Sequence, residues 1–324
     1  MRICFVSHHS EAPDEGVRKA ASCLFQEISK KHQSIRLSIA NPISWYHIST
    51  FRPDIIHFYL SPTVLGLNAA KLASVFYLKA KTIISACHPA GLSSAKWLSF
   101  AKPDLVLIQS PVSEKKFNLM GYKTQFLPNG VDVAKFTPIS MEHRQTLRKK
   151  YGLREDAFVI LHVASIKRAR NLGIFKQISR QNSDFQVVII GRVGEKRDEK
   201  LASELQESGC LVWKEYFPNM EEIYATTDCY IFPTIDSMAC IETPLSVLEA
   251  MACNIPIITS RFGALPNMFS EGDGLFFTGS DEQITELVNT IHQKYPIATN
   301  TREKVIPFSW QNISKELNNI YKTL

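Results

Sequence analysis

Residues 236–262 read DSMACIETPLSVLEAMACNIPIITSRF. They place two carboxylates, Glu242 and Glu249, on either side of a helix start and run that helix into an apolar strand. Thr243 is the expected N-cap and Pro244 the first helical residue. The free N–H groups of Leu245, Ser246 and Val247 would then face whatever precedes the helix, with the positive end of its dipole behind them. That is a setting for an anion. Glu249, under two turns on, can accept hydrogen bonds from neutral hydroxyls nearby. Phosphate beside sugar hydroxyls is the chemistry of a nucleotide sugar, so the segment implies a ligand of that class.

The chain has 324 residues, 45% hydrophobic and 21% charged, the size and balance of a globular protein with room for two domains. Its best apolar stretch, Leu65 to Ala80, is interrupted by Lys71 and Lys79, which argues against a spanning helix. The opening MRICFVS has a strand's apolar run without the order of a signal peptide. Seven cysteines are scattered through apolar segments with no C-x-x-C pair, as expected of buried, reduced thiols in a cytoplasmic protein rather than a zinc site or a disulfide framework.

The charge is uneven. Of 37 Lys and Arg and 31 Asp and Glu, 16 and 8 fall within residues 1–137, leaving 21 and 23 after it. A basic first half suits an anionic partner, such as the inner membrane surface or a phosphorylated lipid, and equally a solvated surface rich in lysine. Nucleic acid is disfavoured because the basic residues are dispersed and not interleaved with aromatics.

Short apolar runs alternate with helical patterns from end to end. Strands are expected at Arg2–Ser7, Ile55–Tyr59, Thr82–Ala86 and Leu105–Gln109, then at Phe158–Val163, Gln186–Ile190, Cys210–Trp213, Cys229–Phe232 and Ile255–Thr259. Glu15–Lys30 carries apolar residues at helical spacing. This alternation implies an α/β protein with two parallel sheets covered on both faces, changing over near residues 137–144, TPISMEHR. Tandem doubly wound domains present their strand C-terminal ends to a ligand cleft.

Three familiar sites are missing. The first strand is followed by HHSEAPDEG, not G-x-G-x-x-G, so a nicotinamide or flavin site lacks its fingerprint. There is no G-x-x-x-x-G-K-[ST] and no Asp-x-Asp pair. A leaving pyrophosphate would therefore need protein cations and backbone N–H groups, with no metal called for. Lys167, Arg168 and Arg170 crowd the end of strand Phe158–Val163, and Asn171 is the expected N-cap of the next helix. Arginine forks match phosphate bidentately, which makes the loop a pyrophosphate clamp; the alternative is a solvent-facing basic loop. Gly16 opens the first helix and would let a backbone N–H approach a ligand. His88, just past strand Thr82–Ala86, is placed to bond a substrate hydroxyl, or is a structural loop histidine. His8 and His9 end the first strand and can line the acceptor side; His57 reads as structural. Tyr216 and Phe217 frame a nucleobase or pack in the core.

Four segments, in order, carry a family resemblance: FLPNGVDVAKF (126–136), YATTDCYIFPT (224–234), PLSVLEAMACNIPIITSRFGALPNMF (244–269) and FSWQNISKELNNIY (308–321). Together they resemble the retaining, GT-B-fold glycosyltransferases of group 1, or family 4. The resemblance implies two Rossmann-like doubly wound domains facing a central cleft. These would be an acceptor-side domain over 1–137, with a closing helix at 308–324 packing back on it, and a nucleotide-sugar-binding domain over 138–307. It implies transfer of a sugar from a nucleotide donor, UDP- or GDP-linked, to a glycan, lipid-linked or small-molecule acceptor with retention, and no cofactor. Arg170 then matches the family's diphosphate-binding lysine, Glu249 the second glutamate of its E-x7-E motif on the ribose, His88 the histidine beside the transferred sugar, and Gly16 the glycine loop facing the donor phosphates. The chain departs in three places. The first motif glutamate falls on Ile241, with Glu242 one place later in a flexible approach to the helix. The family's loop arginine falls on Ser165, leaving its charge to Lys167 or Arg168. The first loop keeps a single glycine. A non-catalytic nucleotide-sugar-binding subunit and a sugar-nucleotide epimerase of the same fold are the rival readings.

Overall fold

The computed structural model describes residues 1–7, 16–38, 41, 45–60, 64–89, 102–191 and 198–324. His8 and His9 lie outside them. The chain divides into two compact units, each described by itself. One comprises Met1–Gly130, Cys240–Thr243 and Trp310–Leu324; the other comprises Val131–Ala239 and Pro244–Ser309. The first division falls at Gly130, earlier than the expected residue 137.

In the first unit the order is β1 (Arg2–Ser7), α1 (Gly16–Ser29), β2 (Gln33–Ser38), α2 (Tyr46–Phe51), β3 (Ile55–Leu60), α3 (Val64–Phe76), β4 (Lys81–Ala86), β5 (Leu105–Ile108), α4 (Pro111–Leu119) and β6 (Thr124–Phe126). The strands form one parallel sheet in the order β2-β1-β3-β4-β5-β6. β3, IIHFYL, is buried along its whole length, as a central strand covered on both faces must be. β2 and β6, at the two edges, were not expected. QSIRLS is mostly half-exposed and TQF is short and largely exposed, so neither shows the apolar run of a central strand.

The second unit runs α5 (Met141–Lys150), β7 (Phe158–Val163), a 3-10 turn (Arg168–Arg170), α6 (Ile174–Gln181), β8 (Phe185–Ile190), α7 (Glu199–Glu207), β9 (Leu211–Trp213), α8 (Met220–Ala225), β10 (Cys229–Phe232), α9 (Leu245–Ala252), β11 (Ile257–Ser260), α10 (Leu265–Met268), β12 (Leu275–Thr278), α11 (Asp281–Gln293) and α12 (Thr301–Val305). Its parallel sheet has the order β12-β11-β10-β7-β8-β9. The last helix, α13 (Trp310–Thr323), belongs to the first unit and packs on α1. All seven cysteines are free thiols. Among the described residues no helix is long and apolar enough to cross a membrane, and no cluster of three or more His, Cys, Asp or Glu is placed to hold a metal.

Two buried polar centres fix these layers. In the second unit Asp228, 4% exposed, sits just before β10. Its Oδ1 accepts from Arg144 at 2.6 Å; its Oδ2 accepts from Arg148 and from the Val159 N–H, each at 2.6 Å. Arg148 spends its remaining donors on the carbonyls of Glu155, Ala157 and Thr226. One carboxylate thereby ties α5 to the start of β7 and β10.

In the first unit His57 on β3 is fully buried between the Tyr321 hydroxyl of α13 (2.6 Å from Nδ1) and the Ser85 hydroxyl of β4 (2.8 Å from Nε2). Burial lowers its pKa to about 3, and burial likewise lowers that of His162 on β7 to about 4. Both rings are neutral in the folded chain, whereas an unfolded histidine titrates near 6.5. Stability from each is therefore complete above about pH 6.5 and lost as pH falls toward the folded values. At pH 5 each histidine is expected to have cost about 2 kcal/mol. Urea unfolding at pH 7.5 and pH 5 checks this. His57→Gln should flatten the difference, and an unchanged slope would show that His57 is not its source.

Candidate functional site

A doubly wound sheet opens a crevice where connections leave its first strand in opposite directions. In the second unit that point lies between β7 and β10, neighbours in the sheet although three helices and two strands separate them in the chain. His162 marks it. Its Nδ1 donates to the Ile231 carbonyl at 2.8 Å, fixing the neutral tautomer with the proton on Nδ1 and tying β7 to β10.

β7 runs into the basic loop. Ser165 and Ile166 turn inward, Lys167 is extended, and Arg168–Arg170 form the 3-10 turn. Asn171 does not cap α6, as expected, but closes this turn in the left-handed conformation (φ 56°), which its short polar side chain tolerates. Its Nδ2 donates to Asp281 Oδ1 at 2.7 Å, and Gly173 precedes α6. The three cations are not equivalent. Arg168 turns to α7's end of the loop, pairing with Asp198 at 3.2 Å and Glu204 at 3.0 Å. With 57% of its side chain exposed, these are weak surface pairs, but they turn the guanidinium toward α7. Arg170 behaves differently. Its Nε is buried with no hydrogen-bond partner among the described residues, and its charge is close enough to His162 to help lower that ring's pKa. It therefore stands by the β7–β10 switch point.

β10 leads, by the 233–244 segment, to α9. The helix begins one residue later than expected. Pro244 is the N-cap, no side chain caps it, and Leu245 is the first helical residue. Proline's fixed φ suits the position, and its missing N–H costs nothing there. Val247 N–H bonds the Pro244 carbonyl at 3.2 Å, so of the expected anion donors only Leu245 and Ser246 remain outside that bond. Glu249 faces into the unit, 6% exposed. After burial itself, its charge is the main reason that the Tyr224 phenol and the Cys253 thiol are pushed up, the thiol to about 12. Phe217 packs against Trp213 and Tyr151, with ring centroids 5.2 and 6.2 Å apart, while Tyr216 is 51% exposed.

The tetrapeptide Cys240–Thr243 belongs to the first unit, and this corrects the reading of Glu242. The residue is 2% exposed and held at its N–H and both carboxylate oxygens, not on a flexible approach. Its N–H donates to the Cys87 carbonyl at 2.9 Å, one carboxylate oxygen accepts from the Ser110 hydroxyl, and the other accepts from Ser113 at 2.8 Å. Ser110 is also the N-cap of α4, accepting from Ser113 N–H, so the carboxylate lies at a helix N-terminus. Burial raises the Glu242 pKa, opposed by the two serines and by Lys116. Thr243 is equally committed. Its N–H donates to Gln109 at 3.2 Å and its carbonyl accepts from Asn129 at 3.0 Å, while Asn129 Oδ1 takes the Tyr59 hydroxyl and the Gln109 amide. The partners Ser110 and Ser113 were missed in the sequence. S-P-x-S after a strand is a helix start, but nothing local links it to a carboxylate 132 residues away.

Gly16 acquires a second reason to be glycine. A Cβ there would stand 3.2 Å from Ile241 Cδ1, the residue that occupies the motif's first glutamate position. His88 follows Cys87 directly and is half-buried. The structure thus gathers Lys167, Arg168, Arg170, Leu245, Ser246, Val247, Glu249, Tyr216 and Phe217 in the second unit, and Gly16, His88, Glu242 and Thr243 in the first.

The chain is 25% identical over 351 residues to the sulfoquinovosyl transferase of Arabidopsis thaliana, covering 98% of this chain and 66% of that protein. It is 25% identical over 213 residues, 61% of this chain and 56% of the relative, to a GDP-mannose-dependent monoacylated phosphatidylinositol monomannoside mannosyltransferase of Corynebacterium glutamicum. The chain therefore spans about two thirds or less of these curated relatives. The solved Anabaena HepE, in complex with UDP and glucose, superposes over the whole of both chains with a TM-score of 0.78 at 16% identity, a likeness of fold. The two six-stranded parallel sheets are accordingly those of a GT-B protein. Residues 143–307 match the model of glycosyl transferases group 1, half of the chain and the whole of the second unit's sheet, and the chain belongs to that family.

Proposed function

We propose that this protein transfers a sugar from a nucleotide-sugar donor to an acceptor hydroxyl, with retention at the anomeric carbon and without a metal. The observation that carries the reading is Arg170, a guanidinium whose buried Nε has no hydrogen-bond partner among the described residues, in the turn that leaves β7 beside the switch point of the family-matched sheet. The mannosyltransferase relative takes GDP-mannose by name, and HepE is solved with UDP and glucose, which supports a GDP- or UDP-linked donor here.

In this reading the diphosphate lies against Arg170 and Lys167, with the N–H groups of Leu245 and Ser246 at its oxygens and Glu249 on the ribose. Tyr216 is the exposed aromatic for the base. The acceptor oxygen bonds to the anomeric carbon as the carbon–phosphate oxygen bond breaks. The acceptor's proton passes to the departing phosphate oxygen, so no enzymic base is required. Charge grows on the pyrophosphate in this step, and fixed cations stabilise it more in the transition state than in the ground state. The acceptor is a glycan, lipid-linked or small molecule. Peripheral association with an inner membrane surface and a cytoplasmic location accompany this proposal.

The commitment of Glu242 to Ser110 and Ser113 favours one rival, a binding subunit without turnover. Thermal melts with UDP, GDP, ADP and CMP, followed by a search for slow hydrolysis of the matching nucleotide sugar, test both. A melting point raised by UDP or GDP together with donor hydrolysis is expected. Stabilisation without hydrolysis, even with candidate acceptors, would support the binding subunit, and no shift with any nucleotide would remove the donor site.

A further inference from the structure

We propose that the second unit carries a separate site for a neutral saccharide at the C-terminal ends of β10, β11 and β12. A cavity of about 500 Å³ opens there, lined by the loops that follow the three strands and by Asn171. That volume falls in the usual range for small-molecule sites, about 300–1,000 Å³.

The lining selects the ligand. Its charged groups are Arg261 and Asp281, one of each sign, so the wall has no net charge to offer an ion. An anion is further disfavoured at the start of α11, where the first turn already carries Asp281 and Glu282 and the Ser280 hydroxyl is used by Gln283 N–H. A purely apolar ligand would strand the polar groups. Those groups are a mixed set. Asp281 gives only Oδ1 to Asn171, leaving Oδ2 as acceptor. Arg261, its side chain 64% exposed, reaches Glu271 only at 3.7 Å and lies 5.1 Å from the Phe277 ring centre. The fully buried Thr234 beside them has a hydroxyl without a hydrogen-bond partner among the described residues. Ile235, 68% exposed, supplies an apolar rim. A carboxylate, an amide and a guanidinium next to an apolar rim match a pyranose, whose vicinal hydroxyls both donate and accept around an apolar C–H face.

The site does not depend on the transferase reading, and one experiment keeps the two apart. Saturation-transfer NMR titrations of the full chain with maltose, lactose and cellobiose are expected to show binding of at least one. Arg261→Met and Asp281→Asn should each weaken it roughly tenfold, the loss of one charged hydrogen bond. Arg261→Met should keep the wild-type melting point and its shift with UDP or GDP. Three outcomes overturn the proposal: no saccharide signal, a signal that both variants retain in full, or displacement of the saccharide by inorganic phosphate. Saccharide binding without any nucleotide shift would leave this site standing and sink the transferase reading.

Discussion

Arg170→Ala is expected to lower sugar transfer roughly 10²–10³-fold, about 3–4 kcal/mol of transition-state stabilisation, with an unchanged melting point. The size follows from position. The guanidinium lies in the turn that leaves β7, beside the strand pair β7–β10, with a buried nitrogen that no described residue satisfies and that is therefore available to meet a growing negative charge. The structural cost is small for the same reason: among the described residues no ion pair depends on it, in contrast to Arg168, whose partners are Asp198 and Glu204. Arg168→Ala should accordingly leave turnover near the wild-type value, which makes it the internal control. Steady-state rates with the donor found by thermal shift decide the matter. If the two variants lose activity equally, the loop acts through its net charge and the assignment to Arg170 is wrong.

Asp228→Ala is expected to be the most damaging substitution for stability, at about 3–5 kcal/mol. Deleting this carboxylate leaves Arg144 and Arg148 facing each other without a counter-ion, Arg148 at 6% exposure, and strips the Val159 N–H of its acceptor. A buried pair adds little over an apolar replacement of both partners, but removing one partner exposes the full desolvation cost of the other. The measurement is urea unfolding of wild type, Asp228→Ala and Asp228→Asn, the last retaining hydrogen-bonding oxygen without charge. A loss below about 1 kcal/mol for alanine, the level of an exposed pair, would mean that water reaches these arginines.

Both sheets were legible because their central strands are continuous apolar runs. ILHV within β7, CYIF in β10 and the IIHFYL of β3 admit no other environment than one buried on both faces. The unexpected strands are those to which this logic does not apply: QSIRLS and TQF at the edges of the first sheet, and the four-residue LFFT at the edge of the second. Within the site, the position of the cation loop followed from strand order, but the division of labour among its cations did not. Arg168 is drawn off by acids on and before α7, which come some thirty residues later in the chain. Local rules also misplaced two helix starts. Asn171 fits an N-cap by type yet also tolerates positive φ, and its bond to Asp281 decides between them. Thr243 is drawn from the cap by Gln109 and Asn129, so Pro244 takes its place. Glu242 was misread for the same reason, since the serines that claim it belong to a different stretch of sequence altogether.

The tetrapeptide at 240–243 and the helix α13 have a consequence for how the molecule is made. The first unit is discontinuous: its sheet is complete by Phe126, yet the carboxylate that closes α4 and the hydroxyl that closes His57 come only after much or all of the second unit's sequence. A ribosome releasing the chain from its N-terminus will have to carry an unfinished first unit, with a bare α1 face and unmet polar groups at Ser110, Ser113 and His57, while the second unit folds. Cutting the chain at Gly130 should therefore not liberate a stable fragment, whereas a circular permutant that moves residues 310–324 ahead of Met1 should shorten that exposed interval.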